Sequence, residues 1–225
     1  MSEKRIAIIG RIRAAHAARG VAPDPAGVNA RLAARARHLI PVRGQMVGQA
    51  ARSQFMNFAV KSQATVDAVE LAAQVPEAVG RYLTAHGLSG PVRLSGDALL
   101  AGMPWDRIPH FNPGPGAVLE SDGVGVAVAL CGIAETATLM LTSGPNAASG
   151  LNFLPPTHIV VLRATDIVGA LEDGWARLRR SGNGQMPRTV NLITGPSRTA
   201  DIAQTMYMGA HGPKRLHVVV VDGDA

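Results

Sequence analysis

HIVVLR (residues 158–163), TVNLIT (189–194) and RLHVVVV (215–221) are the three apolar runs that decide the fold of this chain. Each is short and rich in β-branched residues, which predicts strands. Residues 166–180 and 198–208, which separate the runs, predict helices. Strands that alternate with helices predict a βαβαβ unit, with parallel strands joined by right-handed crossovers.

Further β-like runs lie upstream of this unit. They are Val92–Ser95, Ala117–Glu120, an alternating run of Val124, Val126, Val128 and Leu130, and Thr136–Thr142. The tight segment Cys131–Glu135 separates the last two runs, which predicts an antiparallel hairpin. We therefore expect the sheet to begin after Gly90.

The first ninety residues have mainly helical spacing. The predicted helices are Glu3–Ala18, a helix from the Asp24-Pro25 cap to just before Pro41, Gln45–Val60, and Ala64–His86, within which Pro76 opens a new helix that Gly87 ends. The expected buried stripe of the second helix is Val28, Leu32, Ala36 and Leu39.

The length of 225 residues and a hydrophobic content of 47% fit one domain with a sizeable core. No internal repeat or interdomain linker interrupts the chain. The predicted fold class is α/β, with a mixed sheet flanked by helices. We expect a single domain over residues 1–225, with a mainly helical part at 1–89 and a sheet-forming core at 90–225.

Cysteine is nearly absent. The single Cys131 excludes an internal disulfide and cannot supply the thiolates that an iron–sulfur cluster usually needs. The seven histidines form no HxH or HExxH pattern, which argues against a structural metal site. We therefore expect the chain to bind no cluster or metal of its own.

The chain is basic, with a net charge of +6 and a pI near 10.4. The arginines of the first half alternate with alanine, and aromatic residues are only 4% of the chain, so a solvated helical face explains them better than a nucleic-acid interface. No stretch of eighteen apolar residues and no secretory leader pattern occurs. We expect a cytoplasmic protein with no membrane insertion.

Three common catalytic motifs are missing from the sequence. There is no GxGxxG after a strand, no GxxxxGK[ST] phosphate loop and no GxSxG nucleophile elbow. The chain therefore lacks the signature motifs of dinucleotide-dependent dehydrogenases, nucleotide hydrolases and α/β-hydrolases.

The segment TGPSRTAD (residues 194–201) joins a predicted strand to a predicted helix. Gly195 lets the backbone approach a ligand, and Ser197 can cap a helix whose free N–H groups favour an anion. Arg198 offers a planar fork for a carboxylate or phosphate. With Thr199 and Asp201 these residues form a candidate anion site, and the alternative is an ordinary capped turn with a solvated arginine.

Glu135 lies at the head of an apolar hairpin strand. Partial burial there would raise its pKa and suit it to proton transfer or nucleophilic attack. The alternative is a hydrogen-bonded glutamate that secures the turn.

His211 and His158 are candidate acid–base groups. Both precede strands that are predicted to be parallel, so we expect them at the end of the sheet opposite the Ser197 loop. His158 is also explained as a satisfied histidine at the start of a strand.

Four of these motifs together resemble the lactate-utilisation protein C (LutC/YkgG) family, whose defining unit is the LUD domain. The matching segments are GIAET (132–136) with Thr138-Leu139, LPPTHI (154–159), GPSRTADI (195–202) and HGP (211–213). The likeness covers approximately the last 140 residues closely. Ala137 stands where the family often has glycine.

The resemblance implies a fold similar to the NagB/RpiA/CoA-transferase class. It also implies a subunit of a bacterial system that oxidises L-lactate to pyruvate, in which partner subunits carry the iron–sulfur clusters. On this hypothesis Ser197 and Arg198 bind the small carboxylate, and Glu135 or His211 accepts the hydroxyl proton.

Two other functions stay open at this point. By fold analogy, the chain is a stand-alone acyl or CoA transferase in which Glu135 forms a covalent acyl intermediate. Alternatively, it is a purely structural assembly subunit. The second hypothesis predicts that Glu135→Gln and Arg198→Ala leave growth on lactate intact.

Overall fold

A computed structural model describes residues 3–20, 24–108, 123–182, 185–199, 207–209 and 211–223. The α-helices of this part of the chain are α1 (Glu3–Ala18), α2 (Pro25–Ala34), α3 (Gly48–Lys61), α4 (Val75–Ala85), α5 (Ala98–Ala101) and α6 (Leu171–Ser181). The strands are β1 (Thr65–Val69), β2 (Val92–Leu94), β3 (Val124–Val128), β4 (Cys131–Ile133), β5 (Thr138–Thr142), β6 (Thr157–Arg163), β7 (Ile167–Val168), β8 (Val190–Ile193), β9 (Arg198–Thr199), β10 (Tyr207–Met208) and β11 (Arg215–Val221).

The chain divides into two compact units, residues 1–39 and 40–225. In the first unit, Asp24 caps α2 by accepting a hydrogen bond from the Gly27 N–H, as predicted. The expected buried stripe of this helix is wrong, since Leu32 is 67% exposed and Leu39 is 92% exposed. The helix also ends earlier than predicted, at Ala34, because Arg35 adopts a left-handed conformation.

The centre of the second unit is a five-stranded parallel sheet in the order β1-β11-β6-β3-β2. The valine-rich strands β6 and β11 pair directly, with Val160 opposite Val218. Strands that are covered on both faces read as continuous apolar runs, which explains these two sequences.

Alternation along the strands sends side chains to two separate cores. One face of the sheet carries Ile159 and Val161 and is covered by α4. The other face carries Val160 and Leu162 and is covered by α3 and by a second sheet. That second sheet has four strands in the order β7-β4-β5-β8, and its outer face packs against Leu178 of α6.

The prediction that the sheet begins after Gly90 is wrong. Thr65–Val69, expected to be helical, forms the edge strand β1 and pairs in parallel with β11. Pairing with a strand some 150 residues away outweighs the local preference of this segment, because β propensity depends on tertiary context. Within the predicted helix Ala64–His86, only Val75–Ala85 is α-helical, with Pro76 in its first turn.

A hairpin is present, but it was predicted between the wrong strands. Val124–Val128 lies in the parallel sheet between β2 and β6. The hairpin instead joins β4 to β5, with Ile133 opposite Thr138. In its turn, Ala137 adopts a left-handed conformation with φ 51°. The predicted strand Ala117–Glu120 lies outside the described residues.

The βαβαβ prediction is correct for β6 and β11 and wrong for the strand between them. Val190–Ile193 pairs antiparallel with β5 in the second sheet. Helix α6 begins at Leu171, later than expected, because Ile167–Val168 first pairs with β4. Arg198–Thr199, predicted to open a helix, pairs antiparallel with Tyr207–Met208 instead.

The predicted fold class, an α/β fold with a mixed arrangement of strands flanked by helices and with a helical N-terminal segment, is confirmed. The likeness to the NagB/RpiA/CoA-transferase class and the single domain over 1–225 stay predictions. Among the described residues, no helix combines the length and hydrophobicity needed to span a membrane.

Candidate functional site

Three of the four sequence motifs meet around one cavity of about 220 Å³ between the two sheets. We call it the histidine cavity. Its lining residues are Asn152, Phe153, His158, Leu192, Ile193, Thr194, Gly195, Pro196, Ser197, His211, Gly212, Pro213 and Leu216. A cavity of this size suits a small metabolite better than a drug-sized ligand.

Backbone hydrogen bonds hold the three motifs together. The Lys214 N–H donates to the Pro156 carbonyl over 2.8 Å, which ties the HGP segment to the LPPTH segment. The Ser197 N–H donates to the Pro213 carbonyl over 2.9 Å, which ties the GPSR segment to the same place. Both bonds join backbone atoms. The arrangement of the three motifs therefore depends on the backbone path and not on which side chains they carry.

Gly195 is required by its surroundings. Its φ is +69°, and a Cβ atom there would lie 2.3 Å from the carbonyl oxygen of Ser62. A left-handed conformation and a close backbone contact both favour glycine. The Gly195 turn therefore rests directly on the C-terminal end of α3.

His158 is the most informative side chain of the cavity. It is fully buried, and neither ring nitrogen has a hydrogen-bond partner among the described residues. Burial lowers the pKa of His158 to about 4, so the imidazole is neutral at physiological pH. A buried polar group without a partner is costly, and a ligand or water in the cavity would relieve that cost.

The prediction that His158 and His211 lie opposite the Ser197 loop is wrong. All three line the histidine cavity. The prediction assumed that the strand before Gly195 belongs to the parallel sheet. Because β8 lies in the second sheet, its end reaches the start of β6 instead.

The predicted helix start at Ser197 is also wrong. The Ser197 carbonyl accepts a hydrogen bond from the Gly209 N–H over 2.9 Å, and Arg198 continues into β9. No helix N-terminus is thus available at Ser197 in this part of the described chain. Gly195 and Ser197 line the cavity without a helix dipole.

The other predicted site residues lie elsewhere. Arg198 is exposed, does not line the cavity, and reaches the Ser62 carbonyl with a guanidinium N–H over 3.5 Å. The side chain of Thr199 and all of Asp201 lie outside the described residues. Glu135 lies apart from the cavity wall, in the turn between β4 and β5.

Glu135 is half-buried, and its Oε2 is buried with no hydrogen-bond partner among the described residues. A Cβ atom on Gly44 would lie 2.5 Å from this oxygen, so the carboxylate occupies space that only glycine leaves free. The Glu135 N–H donates to the Gly169 carbonyl over 3.0 Å. Glu135 is linked to the cavity only indirectly, through the threonines that follow it.

Those threonines join the fourth motif to the site. Thr136 Oγ1 lies 2.7 Å from Thr138 Oγ1, which lies 2.6 Å from Thr194 Oγ1. Thr194 lines the cavity. A row of three hydroxyls therefore connects the Glu135 turn to the Gly195 segment.

Sequence reasoning missed several wall residues. Asn152 and Phe153 end a short 3₁₀ turn, and Leu192 lies on β8. Their sequence carries no signal for a site, and Leu192 comes near His158 only because β8 lies in the second sheet. Within the described residues, no group of three or more His, Cys, Asp or Glu side chains is arranged to hold a metal ion.

Comparisons with curated proteins place relatives in several bacteria. An uncharacterized protein of Neisseria meningitidis is 39% identical over 97 residues, which cover 43% of this chain and 41% of the relative. Lactate utilization protein C of Geobacillus kaustophilus is 33% identical and that of Bacillus subtilis 32%, each over 106 residues, 46% of this chain and 44% of the relative. The chain thus matches less than half the length of these relatives.

A crystal structure of a DUF162 family protein from Deinococcus radiodurans has a TM-score of 0.55 and 22% identity, over 76% of this chain and 96% of that one. At this identity the likeness shows the fold alone. The LUD domain family model matches residues 119–221, which include β3 to β11. The predicted resemblance to lactate utilization protein C is confirmed, and the similarity to the LUD domain family extends over residues 119–221.

Proposed function

We propose that this protein is a cluster-free, cytoplasmic subunit of a bacterial lactate-oxidising system, and that its histidine cavity binds a small carboxylate such as L-lactate or pyruvate. The observation that carries the proposal is His158, a buried imidazole whose two nitrogens have no hydrogen-bond partner among the described residues, in the wall of a cavity built from the motifs of the LUD domain. The names of the relatives supply the metabolic context.

The cavity offers hydrogen-bonding groups that match the carboxylate and hydroxyl of a 2-hydroxy acid. A neutral His158 presents one N–H donor and one acceptor nitrogen. Ser197 and Thr194 add hydroxyls, and Phe153 and Leu192 supply apolar wall for a methyl group. The carboxylate is proposed to lie against His158 and the Gly195–Ser197 turn.

The reaction divides between this chain and its partners. Oxidation of lactate breaks the O–H and Cα–H bonds and releases two protons and two electrons as the carbonyl of pyruvate forms. His211, in the cavity wall, is proposed to accept the hydroxyl proton. The two electrons and the Cα proton would leave to partner subunits, whose iron–sulfur clusters would take the electrons, since the single Cys131 of this chain cannot ligate a cluster.

Binding of a carboxylate is expected to change the protonation of His158. A negative charge beside a buried imidazole favours its charged form and raises its pKa. Ligand binding would therefore be accompanied by proton uptake at pH values above the free-state pKa of about 4, and affinity would rise as the pH falls toward that value. Calorimetry in buffers of different ionisation enthalpy measures this uptake.

The matched test compares two buried histidines. His158 lines the cavity, whereas His217 faces the other core, where its ring stacks on Tyr82 at 4.1 Å. His158→Gln is expected to weaken L-lactate or pyruvate binding at least tenfold, and His217→Gln to leave it unchanged. Equal binding by the His158→Gln variant, or no binding by the wild type at 20 mM ligand, would contradict the proposal.

The division of labour has its own test. The purified chain is expected not to reduce an artificial dye with L-lactate, and to support reduction only with the cluster-bearing subunits present. Lactate-dependent dye reduction by the isolated chain would refute the need for partners.

The acyl or CoA transferase alternative receives less support from the geometry. Its nucleophile, Glu135, has one oxygen buried against Gly44 and does not line the histidine cavity. Incubation with acyl-CoA substrates and hydroxylamine tests this alternative, because a trapped Glu135 hydroxamate would establish it.

A further inference from the structure

A second cavity of about 240 Å³ lies at the opposite end of the parallel strands. We call it the carboxyl-end cavity. Ser95 and Asp97 follow β2, Ala129 and Leu130 follow β3, and Arg163 ends β6, and all five line it. None of the sequence motifs contributes to this cavity.

The course of the chain makes this end of the sheet a natural ligand site. After β2, the chain passes to α5, whose Leu100 packs in the core on the α4 face. After β3, it passes to the second sheet, which covers the other face. The connections after the neighbouring strands β2 and β3 thus lead to opposite faces of the sheet. In open α/β sheets, ligands bind in the crevice that opens between two such strands.

The cavity contains a buried polar atom that lacks a partner. Ser95 Oγ is buried and has no hydrogen bond to any described residue. The Ser95 backbone is held in place, because its N–H donates to the Val126 carbonyl over 2.8 Å. A fixed, buried hydroxyl at a cavity wall is a hydrogen-bonding position that a ligand can fill.

The charges of the cavity indicate the chemistry of that ligand. Arg177 is already engaged, with hydrogen bonds to Asp166 and to the Leu130 carbonyl. Arg163 has no ion-pair partner among the described residues, and Asp97 uses one oxygen to cap α5 through the Leu99 N–H. One cation and one partly free carboxylate therefore remain on the wall.

We infer that the carboxyl-end cavity binds a small hydroxylated oxyanion, with Arg163 on its carboxylate or phosphate, and Ser95 and Asp97 on its hydroxyls. An arginine fork suits either oxyanion. This site is distinct from the histidine cavity and does not depend on the function proposed above.

The test uses glycerate and glycerol 3-phosphate as hydroxylated probes and propionate as the probe without a hydroxyl. Calorimetry with the full chain is expected to show binding of at least one hydroxylated probe at least tenfold tighter than of propionate. Arg163→Gln and Ser95→Val are each expected to weaken it at least tenfold. Arg180→Gln, an exposed change on α6, is the matched control and is expected to leave it unchanged.

The inference would be overturned by no binding of either hydroxylated probe at 20 mM, by unchanged binding in the Arg163→Gln variant, or by an equal loss in the Arg180→Gln control. Binding that is lost in the His158→Gln variant but kept in Arg163→Gln would also overturn it, because the probe would then occupy the histidine cavity. Circular dichroism of each variant separates loss of binding from loss of folding.

Discussion

The hydroxyl oxygens of Thr138 and Thr194 lie 2.6 Å apart, although 56 positions separate the two residues in the chain. Thr138 is buried on β5, and Thr194 stands at the end of β8 next to Gly195. This contact is the side-chain link between the hairpin motif and the histidine cavity.

Removal of either hydroxyl should loosen that link. Thr138→Val and Thr194→Val preserve shape, and each is expected to lower the free energy of unfolding by about 1 kcal/mol. A double-mutant cycle by urea denaturation should give a coupling energy of about 1 kcal/mol. Thr142→Val on the same strand is the control, and a coupling energy indistinguishable from zero would count against the hydrogen bond.

Gly195→Ala and Gly87→Ala form a matched pair. Both glycines have a positive φ, +69° and +60°, but only Gly195 has a backbone atom within 4 Å of an added Cβ. Gly87→Ala should cost about 1 kcal/mol from backbone strain alone. Gly195→Ala should cost about 2 kcal/mol more, because α3 or the turn must move. Similar melting temperatures for the two variants would show that the turn is not constrained by Ser62.

Stability should fall as the solution becomes acidic. Burial lowers the pKa of His158 and of His217 from 6.5 to about 4. Between these values the unfolded chain binds a proton at each position and the folded chain does not. The free energy of unfolding should therefore decrease as the pH falls from about 6.5, by at most about 1.4 kcal/mol per pH unit for each histidine.

Urea denaturation between pH 5 and 6.5 measures this slope. His158→Gln and His217→Gln should each remove their own share of it, and the double variant should be nearly flat. A slope that neither substitution changes would assign the acid sensitivity to other groups.

Gly44 and Glu135 should be energetically coupled. Gly44→Ala places a methyl group 2.5 Å from the Glu135 carboxylate and should destabilise the protein by about 1–3 kcal/mol. In a Glu135→Ala background the same substitution should cost less, because the nearest remaining side-chain atoms are then those of Ile40 at 3.0 Å and Ala170 at 3.3 Å. Equal costs in both backgrounds, measured by thermal denaturation, would mean that Glu135 moves aside freely.

The sequence predicted well those elements whose signal is local. The valine runs of β6 and β11, the proline in the first turn of α4, and the Asp24 cap of α2 each follow from neighbouring residues. β1 did not, because Thr65–Val69 becomes a strand only by pairing with β11. Arg198 likewise lies in a strand, β9, because it pairs with Met208 of β10.

The site was predicted as a set of residues and not as an arrangement. His158, His211, Gly195 and Ser197 were named from their motifs, yet they were expected at two ends of one sheet. Their meeting depends on β8 leaving the parallel sheet for the second sheet, a choice that no residue between 189 and 194 reveals. The carboxyl-end cavity was not predicted at all, since Ser95 and Arg163 belong to no motif.

Asn152 lines both cavities. The two cavities therefore share a wall residue, and that residue lies at the end of a 3₁₀ turn rather than on a regular strand or helix. A ligand that pushes the Asn152 side chain out of its own cavity would reduce the volume of the other cavity. Ligands that move Asn152 would therefore couple the two distinct sites, and a titration of each cavity with the other one filled measures that coupling.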